Sequence, residues 1–147
     1  MRLERAHVGH VPSLLSILWA FTRRTAWLPR VRSPLTDVRM TYLIVRRGWV
    51  RVAFDGARPV GFIAREGSRI RALYVHPKAR GSGVGRALLQ EAKAQARQLD
   101  LYVLQQNRGA WAFYAREGFA EAGRGIGLGN DENLPDIRMI WHPREGG

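Results

Sequence analysis

"RALYVHPKARGSGVGRALLQEAKAQA", residues 71–96, decides how the chain is read. It opens as an apolar β-rich run and breaks at Pro77. It then passes through Gly81, Gly83 and Gly85 at alternate positions and continues as an amphipathic helix. Val84, Leu88, Ala92, Ala96 and Leu99 repeat at helical spacing. Glycine reaches backbone conformations closed to other residues and carries no Cβ to block a ligand. The main-chain N–H groups of Gly81, Ser82, Gly83, Val84 and Gly85 are therefore able to point into one concavity, an anion nest. The helix adds its own unsatisfied N–H groups and the positive end of its dipole. Such a nest suits a phosphate or diphosphate, with Arg80 and Arg86 on either side to supply charge. The competing reading is a glycine-rich strand-to-helix connection that binds nothing.

Two familiar phosphate loops fail here. A Walker A loop needs G-x-x-x-x-G-K-[ST], but Arg86 and Ala87 follow Gly85. A dinucleotide fingerprint needs G-x-G-x-x-G, and the sixth position is Arg86 or Leu88 depending on the starting glycine. The pattern that fits is R-x-x-G-x-G, filled by Arg80, Gly83 and Gly85 after "LYVHP".

Outward from this stretch the chain alternates strands and helices. Residues 2–7 suit a short first strand. Val11, Leu14, Leu15, Leu18 and Phe21 predict a helix that tolerates Pro12 in its first turn. Ser33 and Pro34 look like an N-cap and first helical residue. Leu35, Val38, Tyr42 and Val45 form the apolar stripe of that helix, and Gly48 closes it. "VRVAFDGARPVGFIARE" is a hairpin around Asp55-Gly56, and Gly67-Ser68 makes the next turn. "IRALYVHP" is a fourth strand and "LDLYVLQQ" a fifth. "NRGAWAFYAREGF" is a short helix capped by Asn107 and stopped at Gly118. "EAGRGIGLGNDENLPD" reads as a glycine- and acid-rich connection before a closing strand, "IRMIW". The expected architecture is α+β, a mixed and mostly antiparallel sheet of six to seven strands flanked by about four helices. Residues 1–147 form one domain, with no repeat and no linker.

Composition sets the outer limits. The chain has 147 residues, 46% of them hydrophobic, enough for a core. No apolar run approaches the ~20 residues of a membrane span, and the N-terminus does not resemble a signal peptide. With no cysteine there is no disulfide, thiolate nucleophile or zinc knuckle, which fits a cytoplasmic protein. The formal charge of +12 favours polyanions, or reflects an arginine-rich composition in which Lys78 and Lys93 are the only lysines. His7, His10 and His142 lack metal-ligand spacing, so no metal is expected.

The stretch 71–96 resembles the coenzyme A-binding motif of the GNAT superfamily of N-acetyltransferases. "LYVLQQNRGAWAFYAREGF" resembles that family's next strand and helix, and "GNDENLPDIRMIW" the tail of many small bacterial members. The resemblance is strong over residues 60–141 and weak in the first fifty, where the family shapes its acceptor pocket. It implies acetyl-CoA as cosubstrate and a primary amine of a small molecule or peptide as acceptor; Arg71 and the basic first half lean toward a small amine that carries a carboxylate or phosphate. The spread of the arginines and the lack of an apolar span leave neither nucleic acid nor membrane as an expected partner. Relatives are often dimers, so a homodimer stays open. It implies further that the fourth strand splays from the fifth and that the pantetheine arm inserts beside Leu73, Tyr74 and Val75. A backbone amide there, at Val75, would stabilise the oxyanion of the thioester carbonyl. Arg80 through Arg86 map onto the diphosphate loop. Asn107 maps onto the asparagine that contacts the cofactor arm, and equally reads as a plain cap. Tyr114 maps onto the tyrosine that protonates the departing thiolate, against the alternative that it merely packs beside Phe113.

Many relatives place an acid where this sequence has Arg71, so the general base is the departure from the family pattern. Glu66, His76, Asp131, Glu132 and Asp136 are the substitutes, beside a water chain with no dedicated base. Trp19, Phe21, Trp27, Tyr42 and Trp49 either wall the acceptor pocket or, more commonly for such residues, belong to the core. Two other functions compete: a GNAT-fold protein that binds coenzyme A without catalysis, and a basic nucleic-acid module. The second is disfavoured because the arginines are spread over every segment rather than gathered on one face.

Overall fold

The computed structural model describes residues 1–25, 33–126 and 134–143. The elements in chain order are β1 (Arg2–Arg5), α1 (Val11–Arg24), α2 (Pro34–Arg46), β2 (Val50–Asp55), β3 (Arg58–Glu66), β4 (Arg69–Val75), α3 (Val84–Gln95), β5 (Leu99–Leu104), α4 (Arg108–Arg116), β6 (Ala120–Gly125) and β7 (Asp136–Trp141). The strands form one sheet in the order β1-β2-β3-β4-β5-β7-β6. Every neighbouring pair is antiparallel except β4 with β5.

Side-chain alternation along the strands divides the core between the two faces of this sheet. Val50, Val52, Phe54, Phe62 and Ala64 turn to one face, where α1 supplies Val11, Leu14, Leu15 and Ile17. Ile63, Leu101, Val103 and Met139 turn to the other, against Val84, Leu88, Leu89 and Ala92 of α3 and Tyr114 of α4. Local chemistry fixes the helix starts. Ser33 Oγ accepts from Thr36 N–H at 3.2 Å with Pro34 in the first turn, and Asn107 Oδ1 accepts from Ala110 N–H at 3.2 Å. No helix among the described residues is long and apolar enough to cross a membrane.

Four sequence expectations change. In α2 three of the four predicted stripe residues face outward: Leu35 is 61% exposed, and Val38 and Tyr42 are also exposed. Only Val45 of the stripe is buried, joined by Thr41. In α1 the buried set is Val11, Leu14, Leu15, Ile17 and Ala20, with Leu18 and Phe21 half-buried. α3 stops at Gln95, because Ala96 is extended at φ −135° and ψ 146°. Leu99 is thus the first residue of β5, and its helical spacing is coincidental. Residues 121–125 of the supposed connection belong to a strand, β6, which among the described residues pairs with β7 alone and is exposed throughout. An edge strand buried on neither face carries no alternating pattern to read.

Candidate functional site

β4 and β5 share a single Cα pair, Arg69 with Asp100, and the Asp100 N–H donates to Ser68 O at 2.9 Å. Beyond that point the two parallel strands part. On its other side β4 stays in register with β3, from Ala64 opposite Ala72 to Gly61 opposite Val75, and His76 N–H donates to Val60 O at 2.8 Å. In an antiparallel ladder alternate residues bond to the same neighbour. Ala72 and Tyr74 therefore bond toward β3, whereas Leu73 and Val75 turn their N–H groups toward the side that β5 has left. Tyr74 contributes to the split through its side chain instead. Its ring lies on the α1 face, 5.1 Å from Phe21 and 5.6 Å from Phe62, centroid to centroid.

An ion cluster pins the vertex of the split. Asp100 is 3% exposed. Its Oδ1 accepts from Arg69 Nε at 3.0 Å, and its Oδ2 accepts from Arg69 Nη2 at 2.9 Å and Arg138 Nη2 at 3.1 Å. The Arg69 guanidinium, and then that of Arg138, hold the Asp100 carboxyl below the usual carboxylate range against the opposing effect of burial. One side chain thus ties β4, β5 and β7 together where β4 and β5 diverge.

At the open end of β4 the chain makes a short turn, Pro77–Ala79, then reaches Gly81 at φ +80° and Gly83 at φ +84°. Ser82 Oγ donates to Ala79 O, which closes the turn. Neither glycine faces an atom within 4 Å of where a Cβ would stand. Their requirement is conformational, and the space in front of them is open. Gly83 is the N-cap of α3, and the first helical bond at this end is Ala87 N–H to Gly83 O at 3.0 Å. The N–H groups of Gly81 through Arg86 have no protein acceptor among the described residues, so they are free for an anion. Gly61 and Gly85 serve close approach: a Cβ on Gly61 would stand 2.8 Å from Val84 Cγ1, and one on Gly85 3.4 Å from Phe113 Cζ. These contacts seat the start of α3 between β3 and α4. Arg80 and Arg86 are both exposed at the rim. The arrangement fits a diphosphate. Replacing Gly83 by alanine is expected to weaken coenzyme A binding roughly tenfold in calorimetry, since a left-handed residue with a Cβ costs about 1–2 kcal/mol. Unaltered affinity would show that the loop conformation does not matter to the ligand.

Tyr114, on α4, closes the α3 side of the split. Its ring packs edge-on against Phe113 at 5.2 Å and Phe119 at 5.4 Å. Among the described residues no sealed side-chain polar atom lacks a partner, and the Tyr114 hydroxyl has no partner there, so that hydroxyl reaches accessible space. Burial, and then the nearby Tyr74, push its phenol well above the ordinary tyrosine range. Packing and an accessible hydroxyl thus coexist. Asn107 spends Oδ1 on the cap, which leaves its Nδ2 donors without a protein acceptor among the described residues.

The substitutes for a general base are mostly engaged. Glu66 pairs with Arg71, at the vertex end of β4. His76 Nδ1 accepts from Lys78 N–H at 3.1 Å, and burial, followed by Arg58 and other nearby cations, lowers its pKa. Asp136 begins β7, opposite Leu104. Asp131 and Glu132 lie outside the described residues, as does Trp27. His7 and His10 stack at 3.7 Å and cap the turn before α1, and His142 is exposed. Among the described residues no group of acids and histidines is arranged to hold a metal. Trp19, Phe21 and Trp49 are half-buried and Tyr42 is exposed, so none of these belongs to the sealed core. Reading the sequence did not single out Asp100, although an acid inside the apolar run "LDLYVL" was a visible signal for a paired buried charge.

A split parallel pair, two outward amides and a glycine turn at the end of the opened strand make up the candidate site. The chain belongs to the GNAT acetyltransferase family: residues 46–121 match the acetyltransferase (GNAT) domain. It is 38% identical over 93 residues to the peptidyl-lysine N-acetyltransferase YjaB of Escherichia coli, a match spanning 63% of each protein. It is 30% identical over 125 residues to YiaC of Escherichia coli, also named a peptidyl-lysine N-acetyltransferase, covering 80% of this chain and 82% of that protein. The solution structure of apo-form YjaB superposes with a TM-score of 0.73 at 26% identity, over 95% of this chain and 96% of that one. The PaiA N-acetyltransferase of Thermoplasma acidophilum, solved in complex with coenzyme A, shares the fold. Its TM-score is 0.70 at 19% identity, over 97% and 98% of the two chains.

Proposed function

We propose that this chain is an acetyl-CoA-dependent N-acetyltransferase that acetylates a primary amine, in particular a lysine side chain of a peptide. The observation that carries this is the opening of β4 from β5 after one paired residue, with the Leu73 and Val75 N–H groups turned into the opening. Acetyl-CoA supplies the activated acetyl group. The amides of residues 81–86 hold its diphosphate, and those of Leu73 and Val75 align its pantetheine arm. The Val75 N–H faces the thioester carbonyl and stabilises the charge that develops on its oxygen, a contribution of about 3 kcal/mol. The lysine amine first loses a proton to water; its nitrogen then bonds to the carbonyl carbon, the C–S bond breaks, and the remaining excess N–H proton passes to water. Tyr114 gives its proton to the leaving sulfur and is reprotonated from solvent. The chain has no cysteine to carry the acetyl group, which supports direct attack in a ternary complex. The peptidyl-lysine acetylation for which YjaB and YiaC are named supports the peptide acceptor, and the coenzyme A bound to PaiA supports the cosubstrate.

One observation favours a second reading, coenzyme A binding without catalysis. Glu66, the acid nearest the position where many relatives carry a base, is neutralised by Arg71. Two measurements separate the readings. Coenzyme A raises the melting temperature under both. Only an enzyme releases free thiol from acetyl-CoA in proportion to added lysine peptide. A thermal shift without amine-dependent thiol release would establish the silent binder, and no shift at millimolar coenzyme A would overturn both.

A further inference from the structure

Four exposed cations among the described residues gather on the α1 side near the open end of β4. Phe21, in the last turn of α1, packs on Tyr74 at 5.1 Å, which sets Arg23 and Arg24 over the open end of β4. The β3–β4 register puts Gly61 opposite Val75 and carries on to the His76 N–H bond with Val60. Arg58 lies two residues before Val60, and Lys78 lies two residues after His76 in the turn that follows β4. His76 lies near all four: burial first, and then Arg58, Lys78, Arg24 and Arg23, lower its pKa. All four cations are exposed, and none pairs with a carboxylate among the described residues. Several arginines elsewhere are paired, as Arg51 is with Glu91 and Arg71 with Glu66.

This rim differs in place from the diphosphate nest. The nest opens at the start of α3, whose side chains pack on one face of the sheet, while α1 packs on the other. A molecule that reaches the split from the α1 side must pass these cations. They are spread over three elements rather than converging on one point, which suits several carboxylates along an extended chain better than one compact anion. We propose that the acceptor is a peptide segment with acidic residues beside the amine that is acetylated. This rests on the acetyltransferase reading above and specifies its substrate.

The test compares lysine peptides of equal length flanked by Asp/Glu, by Ser/Gly or by Arg, with thiol release measured at low and high salt. The expected kcat/KM is roughly tenfold higher for the acidic peptide than for the neutral one at low salt, and lower still for the basic one. The gap should narrow as salt rises. Reversing the charges with Arg23→Glu and Arg24→Glu together should invert the order, as should Arg58→Glu alone if the double variant does not fold. Folding is verified by the coenzyme A thermal shift. Equal use of the three peptides, or preference for the basic one, overturns the inference and leaves the acetyltransferase reading standing. Failure to acetylate any peptide while coenzyme A still binds overturns both.

Discussion

Replacing Asp100 by alanine is expected to cost about 2–3 kcal/mol of stability and to raise the KM for acetyl-CoA. The carboxylate is sealed and joined to two guanidiniums, one through both oxygens. Removing one partner from a fully buried pair costs about 3–5 kcal/mol. Here the Arg69 and Arg138 side chains are 36% and 38% exposed, so both regain some hydration and the expected loss is smaller. At this chain length the loss lowers the melting temperature by roughly 6–10 °C. The pH dependence carries a second signature. The folded-state pKa of Asp100 is depressed, so its stabilisation is present above the unfolded value near ~4 and is lost as pH falls through the lower folded value. The alanine variant should lose that part of the acid sensitivity. A stability loss below about 0.5 kcal/mol would mean that the Asp100–Ser68 backbone bond holds the vertex unaided.

The consequence for function follows from topology. β4 and β5 meet at one residue pair, so the angle of the split depends on how firmly that pair is held. If the cluster fixes it, the amides of Leu73 and Val75 lose their alignment in the variant even under conditions where the protein remains folded. KM should then move more than kcat. A purely structural role would instead lower the amount of active enzyme and leave KM unchanged.

The parts of the molecule that were legible in the sequence are those where one residue type meets one local demand. Ser33 and Asn107 cap their helices as read, Gly83 takes a left-handed conformation, and the hairpin turns at Gly56 and Gly67. The outward face of α2 was not legible, because periodicity locates an apolar stripe without saying what covers it. The edge strand β6 was hidden because it is exposed along its length. The split could not be read from composition or periodicity, since it is a relation between two strands that each look ordinary. It entered as an expectation through the family resemblance, and the single Arg69–Asp100 pair gave it a physical cause. The same limit applied to charge. The formal +12 was ambiguous as a sum, and only the placement of Arg23, Arg24, Arg58 and Lys78 around one opening gave it a direction.

Replacing Tyr114 by phenylalanine is expected to lower kcat about a hundredfold, close to 3 kcal/mol in the barrier, with the coenzyme A thermal shift retained. Phenylalanine keeps the ring that packs on Phe113 and Phe119, so the α3–α4 face is preserved and only the hydroxyl is lost. Burial and Tyr74 raise the phenol pKa, which keeps the group protonated through the neutral and alkaline assay range. A raised pKa makes a weaker acid, and against a thiol near ~8.5 in water the transfer would run uphill. The leaving sulfur would form at the same poorly solvated split, where burial raises thiolate basicity in the same direction and narrows the gap. The wild-type kcat should therefore show no falling limb from phenol ionisation below pH ~10. Normal kcat in the phenylalanine variant would leave water as the proton donor and reduce Tyr114 to a packing residue. A falling limb near pH 8, present in the wild type and absent in the variant, would mean that the packing around Tyr114 does not raise its phenol.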